Sequence, residues 1–465
     1  MSVQPGAEGR DLPPEFVELV RSLFGADADQ AIEAFVQAGL DPRALLDAAG
    51  LGSDPNAFKT MTAQVKRMMR PAPEGQVVNW ELARDSARQA ALAQGPDPSV
   101  AGAERAAVAE AFKVADLWLD QATALDPPGG APQALSAADW IEATWPRWQA
   151  VTTPVARSMA QAMDQVLRQQ AEEHPGAGEL ARGAARMLGG MTSGLFGMQL
   201  GHALGLLSRE VFGYTDTGLP LGGRGAVALL PGAVAQFAAA TELPPDEVRL
   251  FLAARESAHA RLFAHVPWLA DRLLGAVEAY AQGIAIDLER LERAVRELDP
   301  PSPQNIRQAL SSGVFAPALS EPQKAALARL ETALALVEGW VSAVAERALA
   351  RHLPDVAALS EMTRRRRAAG GPAEHTMATL VGLELRPRRA RQAGALWQAV
   401  TRQLGAAERD RLWSHPDLLP AAEDLDAPET FLERRAARAQ ADAEIDAEIA
   451  AFFDQQAPGG DASGV

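Results

Sequence analysis

The stretch AARESAHARLF, Ala253 to Phe263, sets an arginine, a glutamate and a histidine within one and a half helical turns. Glu256 and His259 have the spacing of the last two fixed positions of H-E-x-x-H, the zinc-peptidase pattern. There, two neutral imidazoles one turn apart hold the metal, and the glutamate takes a proton from metal-bound water. Arg255 stands where the first imidazole belongs. A guanidinium carries no free lone pair and does not deprotonate in a protein, so it cannot be a zinc ligand.

Three chemistries fit these residues. Arg255, Glu256 and His259 can form a buried ion network that fixes helix packing. They can be a degenerate metal site in which the guanidinium supplies the positive charge once supplied by zinc. Or they can be a rebuilt active site, in which His259 finds other partners. By sequence the nearest of these are His202, His265, Glu278 and Asp287. His265 lies six residues beyond His259, which turns the two about 120° apart on one helix and makes a shared ion implausible. Glu278 is better placed if the chain folds back after Pro267. Asp216, in the loop sequence GYTD after Tyr214, is a candidate partner for Arg255.

The element that positions the motif is a helix. Pro245, Asp246 and Glu247 form a favourable first turn, and Pro267 stops the helix at Val266. Its apolar side chains, from Val248 to Val266, point almost all round the axis, which predicts burial on every side. A buried charge must be paired, shifted in pKa or bound to metal, so the three ionisable residues should act together. Helical spacing also dominates the rest of the chain. Strand signal is confined to Gly218–Val234, where glycine turns flank the apolar run Ala226–Leu230 and suggest a short strand or hairpin. Such a strand beside the motif helix offers an edge to an extended substrate.

Composition narrows the classes. The 465 residues are 48% hydrophobic, contain no cysteine and carry a formal charge of −16. No disulfide, thiolate nucleophile or cysteine-type zinc site is possible, and an acidic chain has little general affinity for nucleic acid. The amino terminus shows no secretion signal, so a cytoplasmic location is expected. Met187–Leu207 is about long enough to span a bilayer but is diluted by glycines and holds Gln199 and His202, which favours a packed interior helix. Glycines 197, 201 and 205 beside His202 let another backbone come close. The run Arg364–Arg367 and the stretch RPRRARQ (386–392) suit a solvated helix end or an anionic-ligand patch. No dinucleotide, P-loop or serine-hydrolase motif is present. The nine tryptophans are scattered as packing residues.

Several separated stretches, in order over about residues 78–435, resemble one bacterial family. They include NWELARDSARQAAL, VADLWLDQATAL, WIEATWPRW, GMQLGHALGLLSREVFGYTD, RESAHARLFAHVPWL, TLVGLELRPRRARQAGALWQAV and RDRLWSHPDLLPAAEDLDAPETFLERR. The family is that of the zincin-like metallopeptidases of high-GC bacteria, some of whose members are associated with biosynthesis of a deazaflavin coenzyme. The resemblance implies zinc as cofactor, Glu256 at the catalytic-base position and His259 at a ligand position. Arg255 is the departure, one also found in the branch named as hydrolases.

The expected fold is a mostly α, zincin-like helical body with at most a short β-hairpin near the active helix. An N-terminal helical segment (1–72), a zincin-like domain (73–440) and a helix end with a disordered tail (441–465) are expected. The expected function is zinc-dependent hydrolysis of a peptide or amide bond, with Glu256 and Arg255 as catalytic positions and His259, with Glu278, as ligands. His202 and Asp216 are expected in the substrate site or polar cluster. The alternative is a catalytically inactive zincin-like protein that binds a peptide or protein partner. Neither nucleic acid nor membrane is an expected partner.

Overall fold

A computed structural model describes residues 76–173, 178–284, 319–370 and 387–456, with isolated positions at 17, 32 and 378. The expected 1–72 segment and the tail beyond Gln456 lie outside the described residues, as do Asp287, His174 and His375. The fold is mostly helical, with a single two-stranded sheet among the described residues. No described helix is long and apolar enough to cross a membrane.

The chain divides into two compact units, one built from Met1–Ala90, Ala156–His202 and Ile284–Pro317, the other from Ala91–Val155, Ala203–Gly283 and Ala318–Val465. In the first unit, α1 (Trp80–Ala93) packs on α4 (Gly178–Leu207), the helix that contains the apolar Met187–Leu207 stretch. At Gly201 an added Cβ would come 1.9 Å from the Ala83 carbonyl oxygen, so only glycine permits the approach. The Ser86 hydroxyl donates to the Met198 carbonyl at the same contact.

The second unit is organised around the motif helix. Its elements include α2 (Gly102–Leu119), β1 (Gln133–Ala134), the start of α3 (Ala137–Glu173), β2 (Ala228–Leu229), α5 (Pro231–Thr241), α6 (Pro245–His265) and α7 (Pro267–Ala281). They are followed by α8 (Glu321–Leu349), α9 (Val356–Ala369), α10 (Ala390–Leu404), α11 (Ala406–Arg411) and α12 (Pro428–Gln456). The motif helix α6 matches its expected bounds, with proline and two acids in the first turn. Every residue from Phe251 to Leu262 is buried, as an all-round apolar helix requires. One apolar cluster packs Ala258 and Leu262 with α8, α10 and Trp413; a second packs Val248, Phe251 and Leu252 with α2, β2 and α5. The helix α8 starts at a capping box, in which Ser320 and Gln323 satisfy each other's backbone N–H groups. It then runs buried from Ala333 to Ala345. Trp340 and Trp397 are fully buried, and their indole N–H groups donate to Asp410 and the Leu336 carbonyl.

The strand expected in Gly218–Val234 is present, but it is not half of a hairpin. Ala228–Leu229 pairs in parallel with Gln133–Ala134. A parallel pair needs a long crossover, so local glycine turns were a misleading cue.

Candidate functional site: a buried ion network on the motif helix

Arg255, Glu256 and His259 are all buried, at 6%, 5% and 3% exposure. Each has found protein partners. The Arg255 guanidinium pairs with Glu338 of α8 through Nη2 and donates to the Ser342 hydroxyl through Nη1 at 3.1 Å. Glu338 is itself 3% exposed. Burial drives its pKa up, but Arg255, with His259 and Arg367, outweighs that and holds the carboxyl well below its ordinary range. The Arg255 partner is therefore Glu338. Asp216, expected for that role, instead accepts from Arg366 at 3.1 Å and from the Phe212 backbone N–H at 3.2 Å.

His259 Nδ1 lies 2.9 Å from the Arg255 carbonyl oxygen, one turn back. A carbonyl only accepts, so Nδ1 carries the proton and Nε2 faces Glu338 Oε2 at 3.5 Å. Among the described residues, Nε2 has no closer hydrogen-bonding partner.

Glu256 faces a different group, the loop before the strand. Its Oε1 accepts from the Tyr214 N–H at 2.9 Å and lies 3.5 Å from the Ala228 N–H. Its Oε2 accepts from the Thr215 N–H at 3.1 Å and the Thr215 hydroxyl at 2.5 Å. Burial raises the Glu256 pKa, and these donors, with His259, oppose the rise. Gly213 makes the cradle possible, since a Cβ there would sit 2.5 Å from the Ala228 carbonyl oxygen and 2.7 Å from the Glu256 carboxyl. The loop is fixed from its other side by Trp140, whose indole N–H donates to the Gly213 carbonyl, and by Tyr214, whose hydroxyl donates to Gln133 of β1. Burial, then Glu256 and Asp139, push the Tyr214 phenol up to about 12.

The far side of α6 is bound as firmly. Ser257 donates to Asp116, and Arg261, fully buried, pairs with Asp116 and Asp120 and reaches the Leu125 carbonyl. The strand β2 has neither edge open to an extended ligand. Its Val227 and Leu229 carbonyls accept from β1, while Leu230 N–H donates to Phe212 and Ala228 N–H faces Glu256.

Two expected site residues, Glu278 and His202, lie elsewhere, and so does His265, which helix geometry sets apart from His259. Glu278 is exposed on α7, because fold-back after Pro267 turns its side of that helix to solvent. His202 is exposed on α4, so a buried network does not include it. His265 is exposed and lies 3.1 Å from the Asp126 carbonyl. The residue that sequence reasoning missed is Glu338. Its signal was present: a lone acid in the apolar run ALALVEGWVSAVA, where an unpaired charge is too costly to bury.

The donor set does not fit a catalytic zinc ion. Among the described residues, no three His, Asp or Glu side chains are grouped to hold a metal. The guanidinium of Arg255 takes one Glu338 oxygen and puts a positive charge beside the remaining donors. Glu256, the position for a water-activating base, has both oxygens engaged by the loop.

A buried R-E-x-x-H helix in a mostly helical body is consistent with a zincin-like class. Residues 78–432 match the zincin-like metallopeptidase family, and the chain belongs to it. That family is of the peptidase and hydrolase kind. None of the curated proteins matches the sequence. Among solved structures, the chain is similar to one from Chloroflexus aurantiacus described as "a putative hydrolase with a novel fold". The two are 19% identical, the match covers 77% of this chain and 99% of that one, and the TM-score is 0.54. That likeness shows a shared fold.

Proposed function

We propose that this chain is a cytoplasmic, non-hydrolytic member of its family, which binds a peptide or protein partner and does not cleave it with zinc. The observation that carries this reading is the engagement of Glu256 by the Tyr214 and Thr215 amides and the Thr215 hydroxyl. A base that must take a proton from water needs a free oxygen lone pair directed at that water. Arg255 supports the same reading, because its charge already neutralises the carboxylate facing His259.

A second reading, zinc-dependent hydrolysis of a peptide or amide bond, is favoured by His259. Its Nδ1–H is held by a carbonyl and its Nε2, among the described residues, has no hydrogen-bonding partner closer than Glu338 Oε2 at 3.5 Å, an orientation suited to a metal-ligating imidazole.

Both readings are tested by one pair of measurements on the full chain. Protein equilibrated with zinc and freed of excess is assayed for bound metal by mass spectrometry. A synthetic peptide library is then scored for cleavage and for retention. We expect far less than one zinc per chain, no cleavage, and retention of a subset of peptides. One zinc per chain, lost in His259→Ala and accompanied by cleavage, establishes the hydrolase instead.

A further inference from the structure

The arginine run 364–367 does not form a uniformly solvated helix end. Arg364 pairs with Glu346 of α8 and with Glu361 of its own helix, and Arg365 pairs with Glu361. Arg366 and Arg367 turn into a cavity of about 390 Å³ walled by α5, α9 and the segment from Leu207 to Thr217. That volume suits a small organic molecule.

We propose that this cavity binds a small organic anion, with a carboxylate or phosphate at one end and an apolar body at the other. Arg209, Arg366 and Arg367 line it together with the carboxylates Glu210 and Asp216, and Arg209 is also paired with Asp97 at 3.2 Å. In a chain of formal charge −16, a lining with more arginines than acids departs from the prevailing composition. Arg366 is fixed before any ligand arrives. Its guanidinium lies 4.1 Å from the centroid of the Phe212 ring, Nη1 donates to Asp216 and Nη2 to the Glu210 carbonyl. A guanidinium has five N–H groups, and these two bonds leave donors for a further acceptor. The side chain keeps 31% of its surface exposed. Holding a cation in place beforehand removes much of the ordering cost of binding an anion. The Phe212 ring that carries Arg366 is tilted against Phe237 at 5.1 Å between ring centroids, which adds an apolar surface to the lining. Gln236, exposed on α5, lines the rim.

A plainer role for Arg366 and Arg367 is to offset the partial negative charge at the end of α9. Titration calorimetry on the full chain separates the two, with phenyl phosphate, phenylacetate and neutral phenylacetamide as probes. At least one anion is expected to bind once per chain, and phenylacetamide at least tenfold more weakly. Which anion binds distinguishes a phosphate from a carboxylate ligand. Both Arg366→Gln and Gln236→Trp are expected to weaken binding tenfold or more. Gln236→Trp fills the cavity from an exposed position, so it keeps the test valid if loss of the Asp216 partner unfolds the first variant. Absence of binding by both anions at millimolar concentration overturns the proposal. So does equal binding of phenylacetamide, or binding that Gln236→Trp leaves unchanged.

Discussion

Arg255 and Glu338 meet as a guanidinium and a carboxylate between two buried helices, with His259 Nε2 3.5 Å from the second carboxylate oxygen. The position that would carry a metal ligand in the intact motif thus carries a fixed cation, held by an acid from a helix far along the chain.

The pair should be costly to break and cheaper to replace. Arg255→Met leaves Glu338 buried without its main counter-charge, and a loss of about 3–5 kcal/mol is expected. Adding Glu338→Leu should recover much of that loss, since a buried pair often gives little more than well-packed apolar residues. Urea denaturation of both single variants and the double variant measures this. A double variant as unstable as the sum of the singles rules out the coupling.

Arg255→His places two imidazoles one turn apart, with the Glu338 carboxylate facing His259 from α8. This variant is expected to take up roughly one zinc per chain, as three such donors can complete a protein zinc site. Adding either His259→Ala or Glu338→Gln should abolish uptake, as read by metal analysis. Uptake indifferent to Glu338→Gln would place the third ligand elsewhere.

Glu256 ties the Gly213–Thr215 loop to α6, so its loss should be felt as structure. Glu256→Gln presents an amide N–H where a backbone N–H needs an acceptor, with an expected cost of about 1–3 kcal/mol. Hydrogen exchange at the Tyr214 and Thr215 amides should accelerate in the same variant. Unchanged stability together with unchanged exchange would mean that the cradle does not hold the loop.

Acid should weaken the fold through Glu338 and Asp216. Burial raises both pKa values, but Arg255 beside Glu338, and Arg366 and Arg367 beside Asp216, bring them below the ordinary carboxylate range. A lowered folded-state pKa means that the unfolded chain binds more protons in that window, so stability rises with pH through it. The contribution is complete above the ordinary values of 4.5 and 3.8 and is lost as pH falls from there towards the folded-state values. Glu256, with a raised pKa, acts in the opposite sense at higher pH. Thermal unfolding between about pH 3 and pH 6 should show the acid loss, with a smaller slope in Arg255→Met. Equal slopes would remove Glu338 as its source.

The motif helix was legible because its signals are local: Pro245 and two acids begin it, Pro267 ends it, and its apolar positions surround the axis. The need of Arg255 for a partner was equally legible. The identity of that partner was not, because the sequence offered Asp216 in the GYTD loop, whereas α8 brings Glu338 from 83 residues away. The direction of Glu256 was hidden for the same reason. The cradle depends on a glycine at 213 that permits close approach, and glycine-rich sequence also reads as an ordinary turn. The parallel strand pairing needed contact between Gln133 and Ala228, and no local pattern carries that information.

That pairing bears on the order of folding. Two residues of β1 meet two of β2 across roughly a hundred residues of intervening chain, and closing so long a loop has an entropic cost that two ladder steps cannot offset alone. The strands should therefore join only after α6 has docked against α2 and Glu256 has collected the loop. In pulse-labelling exchange during refolding, the Gln133 and Leu135 amides are expected to gain protection after the amides of the motif helix.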